Sequence, residues 1–128
     1  MQTLKWIVAA LALIQGAWLT FDGTRAFITG DYVTPRSGPS AGQLGPWSKM
    51  VSAAGLEPRG SAMKSIHVVL GLSWLAALAL WHFRPDIGWP SVLICSIATL
   101  WYLPVGTVLS LIQIGLLIAL RTKVQGSM

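Results

Sequence analysis

This sequence is short of charge. Only 10% of its 128 residues are Asp, Glu, Lys or Arg, where a soluble domain carries about 25%. From Ile87 to Leu120 there is no charged side chain at all. An ionised group at the centre of a bilayer costs at least about 2.5–3.5 kcal/mol. Its absence over such a length excludes an ordinary water-facing surface and points to lipid. Cysteine is scarcer still. Cys95 stands alone, which excludes an intrachain disulfide and a thiolate cluster. It lies in an apolar stretch, where it is expected to pack as a small residue. There is no Gly-rich phosphate loop followed by Lys-Ser/Thr, no His-Glu-x-x-His, no Cys-x-x-Cys and no Gly-x-Ser-x-Gly. No polybasic cluster, lipidation signal or inverted hydropathy repeat is present.

What the chain does have is apolar mass: 54% of residues are hydrophobic, and the mean hydropathy is +0.65. The net charge of +5 comes from basic residues that flank apolar segments or sit in one loop. That distribution favours anionic lipid headgroups as the partner, at about 1 kcal/mol per basic residue near the surface. Nucleic acid is not expected. The N-terminus resembles a signal peptide, with Lys5 followed by the apolar run Trp6–Ile14. Gln15-Gly16-Ala17 is a poor cleavage site, so the segment is read as a retained first span.

A membrane helix needs about 20 apolar residues. The uncharged run of 34 residues from Ile87 to Leu120 is too long for one span and is interrupted at Leu103-Pro104-Val105-Gly106. The pattern predicts an all-α polytopic membrane bundle of four spans, at about residues 4–21, 63–83, 87–103 and 106–120. The competing reading is one bent helix kinked at Pro104, which gives three spans. In the first span, Ala12 and Gly16 form a small-xxx-small pair that lets another helix approach closely, and the helix can continue through Asp22 and Arg25. Ser73 and Ala77 form a similar pair in the second, with Ser61 as its expected N-cap and Pro85 as its stop. Pro90 is expected in the first turn of the third.

The connection between the first two spans, residues 22–62, is glycine-rich and holds four Pro and seven of the charged residues. A structureless loop of that length is uncommon, so it is expected to be functional or docked on a partner. Gly45 as cap, Pro46 at the first position and Gly55 as a left-handed stop predict one short helix within it. Trp47, Met50, Val51 and Ala54 share its face, and a place in the membrane interface or against another subunit is expected.

With four spans, Lys5, Arg84, Arg121 and Lys123 share one side, and Arg25, Arg36, Lys49, Arg59 and Lys64 the other. The first set lies on the shorter segments, where positive-inside bias is best read. Both termini are therefore expected in the cytoplasm, with a bacterial inner or equivalent energy-transducing membrane as the setting.

His67 and His82 are the only histidines, both on the second span and about 22 Å apart along a helix axis. They cannot hold one ion or one haem together. Each is a candidate axial ligand for its own haem or chlorophyll if another chain supplies the opposite ligand. The simpler reading places His82 in an aromatic interface belt and bonds His67 to a loop carbonyl. Gln15 and Gln113, near the middle of spans one and four, can bond each other or line a transport path. Asp22, Arg25, Asp31, Tyr32, Glu57 and Arg59 can build a surface enzyme site only if the fold brings them together. Gln15, Gly16, Trp47, Ser73 and Gln113 are the expected packing residues towards helices or partner subunits.

The expectation from these features is a non-catalytic accessory or assembly subunit of a larger membrane complex, respiratory or photosynthetic. The alternatives are a small membrane enzyme or redox subunit using His67, and an oligomeric small-solute transporter.

Overall fold

A computed structural model describes residues 2–32, 34, 37, 39, 42–102 and 105–126, the side chains beyond Thr122 excepted. The Leu103-Pro104 break, Arg36 and the Lys123 side chain thus lie outside the described residues. The described chain is helical: α1 (Gln2–Thr29), α2 (Trp47–Ala53), α3 (Ser61–Phe83), α4 (Pro85–Ala98) and α5 (Val105–Gly126). Three of these helices are long and apolar enough to cross a membrane, namely α1, α3 and α5 over Val105–Thr122.

The first helix does not stop at Phe21. It runs on through Asp22 and Gly23 to Thr29, because its inward face continues unbroken. Val8, Ala12, Gln15, Leu19, Asp22 and Ala26 are all buried, at alternating spacings of four and three. Such a 3.5-residue repeat keeps one stripe facing neighbouring helices. α5 repeats it with Ser110, Gln113, Leu117 and Leu120. α1 packs on α3, α3 on α4, α4 on α5, and α5 back on α1, which closes a ring of four helices.

α1 and α3 approach closely. A methyl group added at Gly71 would meet the backbone nitrogen of Thr20 at 2.5 Å and the Gly16 carbonyl at 3.0 Å. One added at Gly16 would lie 3.0 Å from Trp74 Cβ. Ser73 is half-buried and spends its hydroxyl on the Val69 carbonyl, 2.7 Å away. Gly71 therefore provides a close contact between α1 and α3.

α3 and α4 are separated by Arg84 alone. A residue before proline is pushed out of helical geometry, and Arg84 sits at φ −137°, ψ 71°. Its N–H still donates to Leu80 O at 2.7 Å, and its carbonyl accepts from Gly88 N at 2.8 Å. Pro85 is thus the first residue of α4 rather than a spacer after α3, since a first helical position needs no N–H donor. Pro90 consequently lies inside α4, not in its first turn. α4 ends at Ala98, before Thr99–Tyr102, so its 14 residues rise only about 21 Å.

Two further end positions differ from the sequence reading. The carbonyl of Gly60 accepts from Lys64 N at 3.1 Å, making Gly60 the N-cap of α3 and Ser61 its first residue. α2 begins at Trp47 with Pro46 at the N-cap, and Gly55 follows it in the left-handed region at φ 91°.

Each contact around the ring carries a side-chain hydrogen bond. Trp81 Nε1 donates to Lys5 O (3.2 Å), Trp74 Nε1 to Thr99 Oγ1 (2.9 Å) and Trp89 Nε1 to Leu117 O (3.1 Å). Gln113 Nε2 donates to Val8 O at 3.0 Å. These bonds place the start of α1 beside the end of α3, the start of α4 and the later part of α5. The opposite end holds the end of α1, the start of α3, Thr99–Tyr102 and α2.

Candidate functional site

Polar and aromatic side chains converge at this second end. The inward stripe of α1 brings Gln15, Leu19 and Asp22 to it on successive turns, with Trp18 at the stripe's edge. The start of α3 supplies His67, the turn after α4 supplies Trp101 and Tyr102, and the long connection supplies Tyr32 and Trp47.

His67 is fully buried. Its ring is packed by Tyr32 at 4.7 Å, Trp47 at 4.8 Å, and Trp101 and Tyr102 at 5.6 Å between centroids. Aromatic pairs at such separations add about 0.5–1.5 kcal/mol beyond their burial. This cluster anchors the connection onto the bundle end. Nδ1 lies 2.9 Å from Met63 O. A carbonyl only accepts, so Nδ1 carries a hydrogen and donates it. Nε2 is buried with no protein partner. The four rings enclose the imidazole, and the carbonyl it bonds belongs to its own helix rather than to a loop. His82, at the other end, is exposed beside Phe83.

Beside the aromatic cluster is a half-open cavity of about 350 Å³. Small-molecule sites occupy about 300–1,000 Å³. Ile14, Leu19, Leu44, Val105 and Leu109 form its apolar wall. Gln15, Asp22, Tyr32 and Tyr102 bring polar groups to it, and Trp18 and Trp47 bring indole rings. The Tyr102 hydroxyl accepts from Trp18 Nε1 at 2.9 Å and is hydrogen-bonded to the Asp22 carboxylate. Asp22 is buried, with only 3% of its surface exposed, and its charge reaches Tyr32 and His67. Burial pushes the Tyr32 phenol above its usual pKa of 10.0, and the Asp22 and Asp31 carboxylates push it further. Tyr32 therefore stays a neutral hydroxyl at physiological pH. Its oxygen, like both polar atoms of the Gln15 amide, is buried without a protein partner.

The six residues considered for a surface enzyme site divide. Arg59 Nε bonds Asp31 Oδ1 at 3.0 Å, and Arg25 Nη1 bonds Asp31 O at 3.2 Å, on the outside. Glu57 accepts from Arg59 N at 3.5 Å, also outside. Asp22 and Tyr32 turn inward to the cavity. Gln15 and Gln113 do not bond each other. Gln113 pairs with Val8 O, seven residues before Gln15 and so about 10 Å away along α1. Among the described residues, no group of three or more His, Cys, Asp or Glu is placed to hold a metal ion.

Trp18 and Tyr102 are site residues that sequence reading missed. The available signal was the spacing of Gln15, Trp18 and Asp22 at i, i+3, i+7, which sets an amide, an indole and a carboxylate on one side of α1. Comparison with protein-family models, with curated proteins and with solved structures gave no match.

Proposed function

We propose that this is an integral membrane protein of four crossings that binds a small, mostly apolar molecule in the cavity beside His67. The observation that carries the reading is the Gln15 amide. It is 4% exposed, faces the cavity, and has a protein partner at neither Nε2 nor Oε1. A buried polar group left unpaired costs about 1–3 kcal/mol, which a ligand with its own polar end would recover. The rest of the wall suits the apolar body of such a molecule. α4 counts as the fourth crossing, because its short helix together with Thr99–Tyr102 reaches from the Trp89 end to the aromatic cluster. α2 then lies at the interface over the cavity, and both termini face the cytoplasm.

The test is extraction. Wild-type protein purified in mild detergent is expected to release a stoichiometric small molecule into organic solvent. Leu109→Trp, which fills the cavity, is expected to release none. Identical extracts containing only bulk lipid from both proteins would overturn the reading.

A second reading, an accessory subunit of a larger membrane complex, is favoured by a different feature. The outer face of α1 and α3 carries an almost wholly apolar groove of about 580 Å³ between Thr20, Phe21, Ile28 and Leu75. A helix from another subunit fits such a groove. Gentle extraction and native sizing would then give a larger assembly, and a homogeneous monomer with nothing co-migrating would count against it.

A further inference from the structure

We infer that the outer groove between α1 and α3 seats one phospholipid whose headgroup carries net negative charge. The groove lies on a different face of α1 from the cavity and shares no lining residue with it. Depth is the first argument. Twenty residues separate Lys5 from Arg25 on α1, about 30 Å along the helix axis. The hydrocarbon core is also about 30 Å thick, so these two cations mark its two boundaries. From Ala17 to Arg25 the groove descends about 12 Å, close to one leaflet's half of that core. Ala17, Phe21 and Leu75 give it an apolar bed for an acyl chain. Charge at the mouth is the second argument. Arg25 is the one charged residue in the described wall. Lys64 stands beside it, its Nζ 3.3 Å from the carbonyl of Gly30. The carboxylates of this corner, Asp31 and Glu57, are both held by Arg59, at 3.0 and 3.5 Å. Arg25 Nη1 donates to a carbonyl instead, that of Asp31 at 3.2 Å. A carbonyl carries no net charge, so these bonds do not neutralise Arg25 or Lys64, and both side chains are partly exposed. A guanidinium keeps further N–H donors in a planar fork that fits a phosphate. Thr24, exposed on the groove, adds a hydroxyl. An apolar helix laid here would leave the cations as they are, whereas an anionic headgroup meets both.

Two lipids with the same acyl chains separate headgroup charge from chain binding: phosphatidylglycerol, which is anionic, and phosphatidylcholine, which is neutral overall. Wild-type protein is released from nanodiscs holding equal amounts of both, and the lipids it retains are counted by native mass spectrometry. One phosphatidylglycerol per chain is expected, preferred about twentyfold, or near fivefold for each of the two cations. Arg25→Gln and Lys64→Gln are each expected to cut that preference about fivefold. Ala17→Phe, which fills the bed and leaves the charges, is expected to lose the retained lipid. Lys5→Gln, at the far boundary of the same helix, is expected to change nothing. Equal retention of the two lipids by wild type would overturn the inference. So would an equal loss from Lys5→Gln and Arg25→Gln, which would mean a general attraction to the surface rather than a seat. A second protein chain held by wild type and lost from Ala17→Phe would overturn it in favour of a subunit helix. The wild-type comparison needs no variant, so it decides the matter even if a substitution fails to fold. None of these outcomes bears on the cavity.

Discussion

Arg59 shows how single residues hold the long connection to the bundle. Its Nε bonds the Asp31 carboxylate, and its Nη2 bonds Gly42 O at 2.8 Å. Lys64 Nζ reaches Gly30 O at 3.3 Å. Burial alone would raise the Asp31 pKa. The Arg59 bond, the Tyr32 N–H and the nearby positive charges outweigh it and hold the carboxyl below its usual 3.8. A carboxylate with a lowered folded-state pKa stabilises the fold above its unfolded value. That contribution is lost as pH falls from about 3.8 through the folded pKa. Both side chains are more than 40% exposed, so the pair contributes no more than about 1 kcal/mol. Asp31→Asn is therefore expected to flatten the loss of thermal stability as pH falls below about 4. Melting curves of the two proteins across that range check it; parallel curves would mean that the pair contributes nothing. Residue by residue, the site was only half legible in the sequence. Asp22 and Asp31 lie close in the chain, and both were candidates for the same surface site. Only the continued coiling of α1 sends one inward and leaves the other outside.

Among elements, the approach of α1 and α3 is governed by what glycine leaves out. The Cβ of an alanine at Gly71 would collide with Thr20 and with the backbone at Gly16. Backbone cannot swing away as a side-chain tip can, so one helix must shift. Overpacking of this kind costs about 1–3 kcal/mol. Gly71→Ala is expected to lose that much in reversible unfolding from mixed micelles. Gly115 is the control: it is exposed on α5 and has nothing within 4 Å of a built Cβ. Gly115→Ala is expected to be neutral or to gain up to about 1 kcal/mol. Equal effects at both sites would refute steric control of the interface. The apolar runs made α1, α3 and α5 readable, since periodicity survives any tertiary arrangement. The end of α4 was less readable. Thr99 Oγ1 donates to Cys95 O and accepts from the Trp74 indole, and a partner 25 residues away leaves no trace in local pattern. α2 was visible because Pro46 and Gly55 punctuate both of its ends.

At the scale of the whole molecule, polar side chains are buried within the bundle while large apolar ones face outward. Gln15, Asp22, His67, Ser96, Thr99, Ser110 and Gln113 are buried, while Ile28, Val69, Ile94 and Ile118 are each more than half exposed. In water this arrangement would lose the hydrophobic effect and strand the buried polar groups. In lipid it is the expected one, because polar side chains face the bundle interior and hydrogen-bond across helices there, at about 0.6–2 kcal/mol each. The bonds from Trp81, Trp89 and Gln113 gather the start of α1 and the later part of α5 at one end. Four crossings would therefore put the two termini on the same side of the membrane, and the connection with α2 on the other. Cys95 is buried and can be replaced by alanine to give a silent background. Single cysteines at Gln2, Arg121 and Glu57, all exposed positions, are then read with a membrane-impermeant maleimide on sealed, oriented vesicles. Gln2→Cys and Arg121→Cys are expected to label from one side and Glu57→Cys from the other. Labelling of Gln2→Cys and Arg121→Cys from opposite sides would mean that α4 and α5 together cross only once. In that case the cavity formed by α1, the connection and the start of α5 could not lie at a membrane face as proposed.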